Sequence, residues 1–180
     1  DVYKRQDNAP YLHRPKTKSD FESPKIVAPQ RSRVNTFGYN EIAWYAASDV
    51  FFITSKENTS IQLKYILGLL NSKLYYVWLY YKGKRKGENL ELTKSPLSEI
   101  PIKEVKKEEQ EQLIEIVDFL IKNPESKDSF SALNKKIYRL FSLSKKEISA
   151  IEDFYNQKTV TGDTEAVSYT HLTLPTICSV

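Results

Sequence analysis

Thr59–Pro101 reads TSIQLKYILGLLNSKLYYVWLYYKGKRKGENLELTKSPLSEIP, and the fold turns on this stretch. Thr59-Ser60-Ile61-Gln62 has the form of a capping box, a hydroxyl followed three residues later by an amide side chain. From Ile61 to Tyr81 apolar residues occupy every face, which predicts one buried helix of about 20 residues and about 30 Å. Lys64, Asn71, Ser72 and Lys73 interrupt the apolar run, so it does not read as a membrane span. Gly83-Lys84-Arg85-Lys86-Gly87 follows as a basic loop hinged by two glycines. Leu90-Glu91-Leu92-Thr93 then alternates like a half-buried strand, and the run ends at Ile100-Pro101-Ile102. A buried helix that delivers a cationic loop to the surface is a sensible way to hold a polyanion.

Charge is segregated in the same sense. Arg14 to Arg33 carries six basic residues (Arg14, Lys16, Lys18, Lys25, Arg31, Arg33) against Asp20 and Glu22. Lys82 to Lys94 carries five (Lys82, Lys84, Arg85, Lys86, Lys94) against Glu88 and Glu91. The whole chain nets only +4, so the remainder is acidic, and clustered positive charge is the footprint of a nucleic-acid binder. The plain alternative is solvated surface.

Hydrophobic residues make up 40% of the 180 and aromatics 12%, enough for a core, which excludes global disorder. One cysteine, Cys178, allows no internal disulfide framework. His13 and His171 stand at no metal-ligand spacing, so neither a structural zinc site nor a Ser-His-Asp or Cys-His pair is expected. No signal peptide or membrane span is evident, which makes the cytoplasm the expected location.

Residues 1–23 read as a polar, proline-broken leading loop, including Tyr11-Leu12-His13-Arg14-Pro15. Asp1–Gln6 and Val167–Val180 resemble translated sequencing-adapter sequence and are set aside from fold reasoning. With no Met anywhere, the chain is expected to be an internal fragment of a longer protein. Residues 159–180 are expected to be a disordered tail.

Residues 24–54 are β-rich. Lys25-Ile26-Val27-Ala28, Ile42-Ala43-Trp44-Tyr45 and Val50-Phe51-Phe52-Ile53-Thr54 read as strands, with a turn at Phe37-Gly38-Tyr39-Asn40 and another at Ser48-Asp49. Arg31 and Arg33, two apart, would share one strand face, where a guanidinium can grip a phosphate or the Hoogsteen edge of guanine. Trp44 is expected in the core, whereas Phe37 and Tyr39, beside the turn glycine, are expected to be exposed.

Residues 106–158 read as three amphipathic helices. Lys106–Lys122 carries an apolar stripe of Leu113, Ile116, Val117 and Leu120 and stops at Asn123-Pro124. Phe130–Phe141 is the second, and the capping box Ser144-Lys145-Lys146-Glu147 opens the third. Their acidic faces suit scaffold rather than DNA contact. The expected class is α+β: a small mixed sheet around a buried central helix, residues 24–105, followed by a helical appendage.

LLNSKLYYVWLYY, a basic glycine loop and LTKSPLSEIPI, in that order, resemble the TaqI-like specificity domain. The upstream run PKIVAPQRSRVNTFGYNEIAWYAASDVFFI resembles the start of the same module, so the resemblance extends from Pro24 to Ile102. It implies the target-recognition part of an adenine-specific DNA methyltransferase or a fused restriction-modification enzyme. Its partners would be duplex DNA and an upstream methyltransferase domain of the same polypeptide, with S-adenosylmethionine bound by that parent and no cofactor here. Lys82, Lys84, Arg85, Lys86 and Lys94 would neutralise phosphates; Arg31, Arg33, Tyr39 and Asn40 are the candidates for base edges.

The chemistry of methyl transfer is not encoded in this stretch. The Asn-Pro-Pro-aromatic signature is absent, since Asn123-Pro124-Glu125 departs from it at the second proline and the aromatic. Gly83 and Gly87 frame only basic residues, which is neither a dinucleotide fingerprint nor a P-loop. Glu22-Ser23-Pro24-Lys25 lacks the second acid of a nuclease. No catalytic or metal-ligating residue is therefore expected. Two other classes compete with DNA recognition: a non-catalytic module that docks a partner subunit, and an RNA-binding module that prefers single strands and 2′-hydroxyls.

Overall fold

The computed structural model describes residues 21–45, 50–55 and 59–160. The Tyr11–Pro15 segment, the Ser48–Asp49 turn, the adapter-like ends and the tail after residue 160 lie outside the described residues. The class is α+β, as expected. In place of one mixed sheet, the described residues form two three-stranded antiparallel sheets.

In the first sheet β1 (Lys25–Pro29) lies between β3 (Gly38–Asn40) and β4 (Val50–Thr54). The central position explains why Lys25, Ile26, Val27 and Ala28 are all buried, while β4 on the edge is half-exposed throughout. Val27 faces Gly38 on one side and Phe52 on the other. Gln30 alone carries the chain into the second sheet, where β6 (Asn89–Glu91) is flanked by β2 (Arg31–Ser32) and β5 (Lys84–Lys86). The carbonyl of Gln30 accepts the N–H of Leu92 at 2.9 Å, which ties the sheets at their junction.

Several local expectations give way to tertiary demands. Gly38–Asn40 is a strand, not a turn, and Phe37 is fully buried. Ile42–Tyr45 forms no strand. Its polar groups go elsewhere: the Ile42 carbonyl accepts from Lys25 Nζ at 3.0 Å, and the Trp44 N–H donates to the Phe21 carbonyl at 3.0 Å. Trp44 is half-buried, 5.9 Å from the Phe52 ring. The basic loop is a strand, because Lys84, Arg85 and Lys86 pair with Glu91, Leu90 and Asn89.

The central helix is two helices, α1 (Leu63–Leu70) and α2 (Lys73–Lys82), broken at Asn71-Ser72. Ser72 caps α2: its Oγ accepts from the Tyr75 N–H at 3.3 Å and donates to the Leu69 carbonyl at 2.7 Å. Asn71 Oδ1 accepts from the Phe37 N–H at 3.0 Å and its Nδ2 donates to the Phe37 carbonyl at 2.9 Å. Asn35 Nδ2 closes the break from the other side, donating to the carbonyls of Leu70 at 2.6 Å and Ser72 at 2.9 Å. Asn134 Oδ1 accepts the Lys73 N–H at 2.8 Å. All four side chains are buried, so the break is a satisfied polar junction inside the core. The capping box expected at Thr59–Gln62 does not form. Helix α1 starts after Gln62, whose N–H is taken by Gln110 Oε1 of a later helix at 2.9 Å.

A short helix α3 (Lys94–Ser98) precedes the three expected helices, α4 (Lys107–Lys122), α5 (Lys127–Leu140) and α6 (Lys145–Val160). Helix α5 begins three residues earlier than its apolar pattern indicates, because Ser126 caps it by accepting from the Ser129 N–H. The box at Ser144 forms: the Glu147 carboxylate accepts from the Ser144 N–H at 2.7 Å and Oγ at 2.6 Å, which holds its carboxyl below the usual range. Helix α4 packs on α1, where Gly68 leaves room for Leu113 and Val117; α6 packs on α2 through Tyr155 against Tyr76. Leu113, Val117, Leu133 and Ile137 join Ile26, Phe37, Leu67 and Leu90 in one hydrophobic core.

Candidate nucleic-acid interface

The second sheet carries four of the nine residues the sequence singles out, Arg31, Lys84, Arg85 and Lys86. A two-residue turn, Gly87-Glu88, joins β5 to β6, and Gly87 has φ +62°, the left-handed conformation that favours glycine. Residues directly opposite across an antiparallel pair share a face. Arg31, Glu91 and Lys84 are in one such row, and Asn89 and Lys86 are in another on the same side. The intervening row, Ser32, Leu90 and Arg85, points the other way, and Leu90 is its anchor in the core. The outer face therefore presents Arg31, Lys84 and Lys86 around Glu91, the guanidinium strand and the lysine strand about 10 Å apart.

Arg31 Nε sits 3.5 Å from Glu91 Oε1, with 42% of the arginine side chain exposed. A surface ion pair of this kind contributes only about 0–1 kcal/mol, so a phosphate or base edge can displace it at small cost. Arg85, on the inner side, lays its guanidinium over the Tyr80 ring at 4.1 Å, and Lys158 Nζ lies 5.4 Å from that ring. Burial pushes the Tyr76 phenol up to about 12, and the charges of Arg33 and Arg85 partly oppose it. Arg33 is exposed, but β2 ends at Ser32, so it does not share a strand face with Arg31. Lys82 closes α2, and Lys94 opens α3; both are exposed.

Tyr39 and Asn40 belong to the first sheet. Tyr39 is half-buried with Lys64 Nζ 5.1 Å from its ring, and its hydroxyl pKa is raised by burial and then by Glu41. Asn40 is buried, its Oδ1 accepting from Lys25 Nζ at 3.3 Å. Lys25, one of the clustered cations of the sequence, is itself fully buried, and burial lowers its ammonium pKa. Sequence reasoning misses the stacking of Arg85 on Tyr80. The one-turn spacing from Tyr76 to Tyr80, ending beside the basic run, is the signal available.

Residues 4–102 match the family model of the TaqI-like C-terminal specificity domain. The chain belongs to this family. The specificity domain is 33% identical over 86 residues to Type II methyltransferase M.HincII of Haemophilus influenzae, and equally to Type II methyltransferase M.HindII of Haemophilus influenzae strain Rd. Each match takes in 45% of this chain and 17% of the methyltransferase, so the chain spans a small part of the length of these curated relatives. Among solved structures, the fold is similar to that of the Type IIL restriction-modification enzyme MmeI in complex with DNA. That likeness has a TM-score of 0.58 at 15% identity, over 79% of this chain and 22% of the other. It covers more of the chain than the family model does, so it takes in part of the helical segment beyond Ile102. Among the described residues no helix is long and apolar enough to cross a membrane.

Proposed function

We propose that this specificity domain recognises the DNA target of a site-specific adenine methyltransferase in a restriction-modification system. The observation that carries the reading is the outer face of the second sheet, where Arg31, Lys84 and Lys86 stand together on a domain of this family. Lys84 and Lys86, with Lys82 and Lys94 beside them in sequence, neutralise phosphates and set the register on the duplex. Arg31 reads a base edge, and Arg85 adds charge from the inner side while stacked on Tyr80. Arg33, Tyr39 and Asn40 remain candidates at the margins. Methyl transfer itself belongs to an upstream domain of the same polypeptide, which would bind S-adenosylmethionine, extrude the adenine and work in the cytoplasm.

The test is duplex binding as a function of salt. Lys84→Ala with Arg85→Ala and Lys86→Ala should weaken binding to all sequences and shrink the salt slope by about 0.9 for each phosphate that is no longer neutralised. Arg31→Ala should instead relax discrimination at one base pair, by about 1–3 kcal/mol. An unchanged slope in the triple variant would remove the hairpin from the interface.

A second reading, a module that docks a partner subunit, draws on one observation: Ile42 and Tyr45 are 71% and 64% exposed, with Tyr45 stacked on Phe21, which in turn meets Phe52 edge-on. It predicts a stable heteromer and no salt-dependent duplex affinity.

A further inference from the structure

Helix α5 breaks the expectation that the three C-terminal helices present acidic faces. It carries Lys127, Lys135, Lys136 and Arg139 against Asp128 alone, whereas α4 is strongly acidic. Lys127, Ser131, Lys135 and Arg139 recur every four residues, with about 6 Å of rise between neighbours, and all four are exposed. No ion pair or hydrogen bond among the described residues engages the side chains of Lys127, Lys135 or Arg139. Lys136, by contrast, donates to Gln112.

This stripe forms one wall of an open cleft of about 510 Å³ whose opposite wall includes Lys73 of α2 and Ile148 and Glu152 of α6. Glu152 is the carboxylate in the cleft, and its charge is already met: Lys73 Nζ donates at 2.5 Å and Tyr138 Oη at 2.7 Å. The uncompensated field of the cleft is that of the stripe. Three cations drawn out over about 18 Å of helix suit an extended polyanion with repeated charge better than one compact anion.

We propose that the α5 stripe is a second backbone-binding surface, taking phosphates of the duplex that flanks the sequence read by the hairpin sheet. The inference rests on the DNA reading above. Helix α2 spans the two surfaces: Lys73 lines the cleft and Lys82 precedes the hairpin, about 14 Å further along the axis.

Two mixed-sequence duplexes, of about one and about three helical turns, test this on the full chain. Lys127→Gln with Lys135→Gln and Arg139→Gln should leave the thermal melt unchanged, since all three side chains are exposed. On the longer duplex it should lower the salt slope by about 2–3 and abolish the gain in affinity that length gives. Charge reversal, Lys135→Glu with Arg139→Glu, should do the same more strongly. The hairpin variant should lose affinity for both duplexes. A stripe variant with the parent's slope and length dependence, beside a weakened hairpin variant, overturns the stripe and leaves the DNA reading standing. No salt-dependent duplex binding by the parent chain overturns the DNA reading itself, and the stripe with it.

Discussion

Asn71 shows what a single side chain decides in this fold. Its amide closes both hydrogen-bonding groups of Phe37, a residue 34 positions away in sequence, and thereby fixes the β2–β3 connection against the helix break. Asn71→Ala would leave a buried N–H and a buried carbonyl without partners, at about 1–3 kcal/mol for each group. Urea unfolding should show the midpoint fall with the slope unchanged; a loss under about 1 kcal/mol would mean that water enters the junction and replaces the amide. This junction is where sequence reading fails most plainly. Asn71 and Ser72 are visible as interruptions of an apolar run, but the side chains that close the break around them, Asn35 and Asn134, come from distant segments. Phe37 is misplaced for the same reason, since a flanking glycine says nothing about a helix break that will cover the ring. Ser144 and Glu147 are legible because each is the other's partner, three residues away.

Elements are legible in proportion to how far their reasons are local. Strand β4 and helix α4 follow from β-branched or amphipathic patterns, and the apolar stripe Leu113, Val117 and Leu120 is buried as expected. Strand β5 is not legible: three consecutive cations have little strand propensity, and what makes them a strand is the Gly87 turn and the pairing with Asn89–Glu91. The pairing also sorts the cations, Lys84 and Lys86 outward and Arg85 inward onto Tyr80, a division that a loop would not impose. The crossing of α1 and α4 is equally tertiary. A Cβ on Gly68 would come within 2.8 Å of Leu113 Cδ2 and Val117 Cγ2. Gly68→Ala gains about 1 kcal/mol of helix propensity but should cost about 1–3 kcal/mol in overpacking, for a net loss seen as a lower thermal midpoint. Pairing it with Val117→Ala should cost less than the sum of the two single changes. Additive losses would show that Gly68 acts through α1 alone.

At the scale of the molecule, one core runs through both sheets and all three long C-terminal helices, so the helices and the hairpin sheet should melt together. That core is rich in tyrosine, and this gives it an alkaline limit. Burial pushes the phenols of Tyr65 and Tyr76 each up to about 12, and burial also raises those of Tyr75 and Tyr138. In the unfolded chain these groups lose their protons near pH 10, so between about 10 and 12 the folded state holds more protons and stability falls as pH rises. The contribution is intact below about pH 10. Buried Lys25 acts in the opposite sense, since its lowered pKa favours the fold as pH rises toward about 10.4, but it is one ammonium against four phenols. Denaturation midpoints measured from about pH 9 to about pH 11.5 should drop steeply at the upper end, with phenolate absorbance rising only as the chain unfolds. A flat midpoint with early absorbance would mean that water reaches these rings. Against so committed an interior, the outer row of Arg31, Lys84, Lys86 and Asn89 stands apart: exposed, and hung from the core by Leu90 beneath it. Substitutions there can drift neutrally with respect to folding, so the surface proposed to meet DNA is free to explore new preferences while the scaffold stays constant. A two-layer division of this kind makes the domain evolvable, able to change what it reads without first learning to fold again.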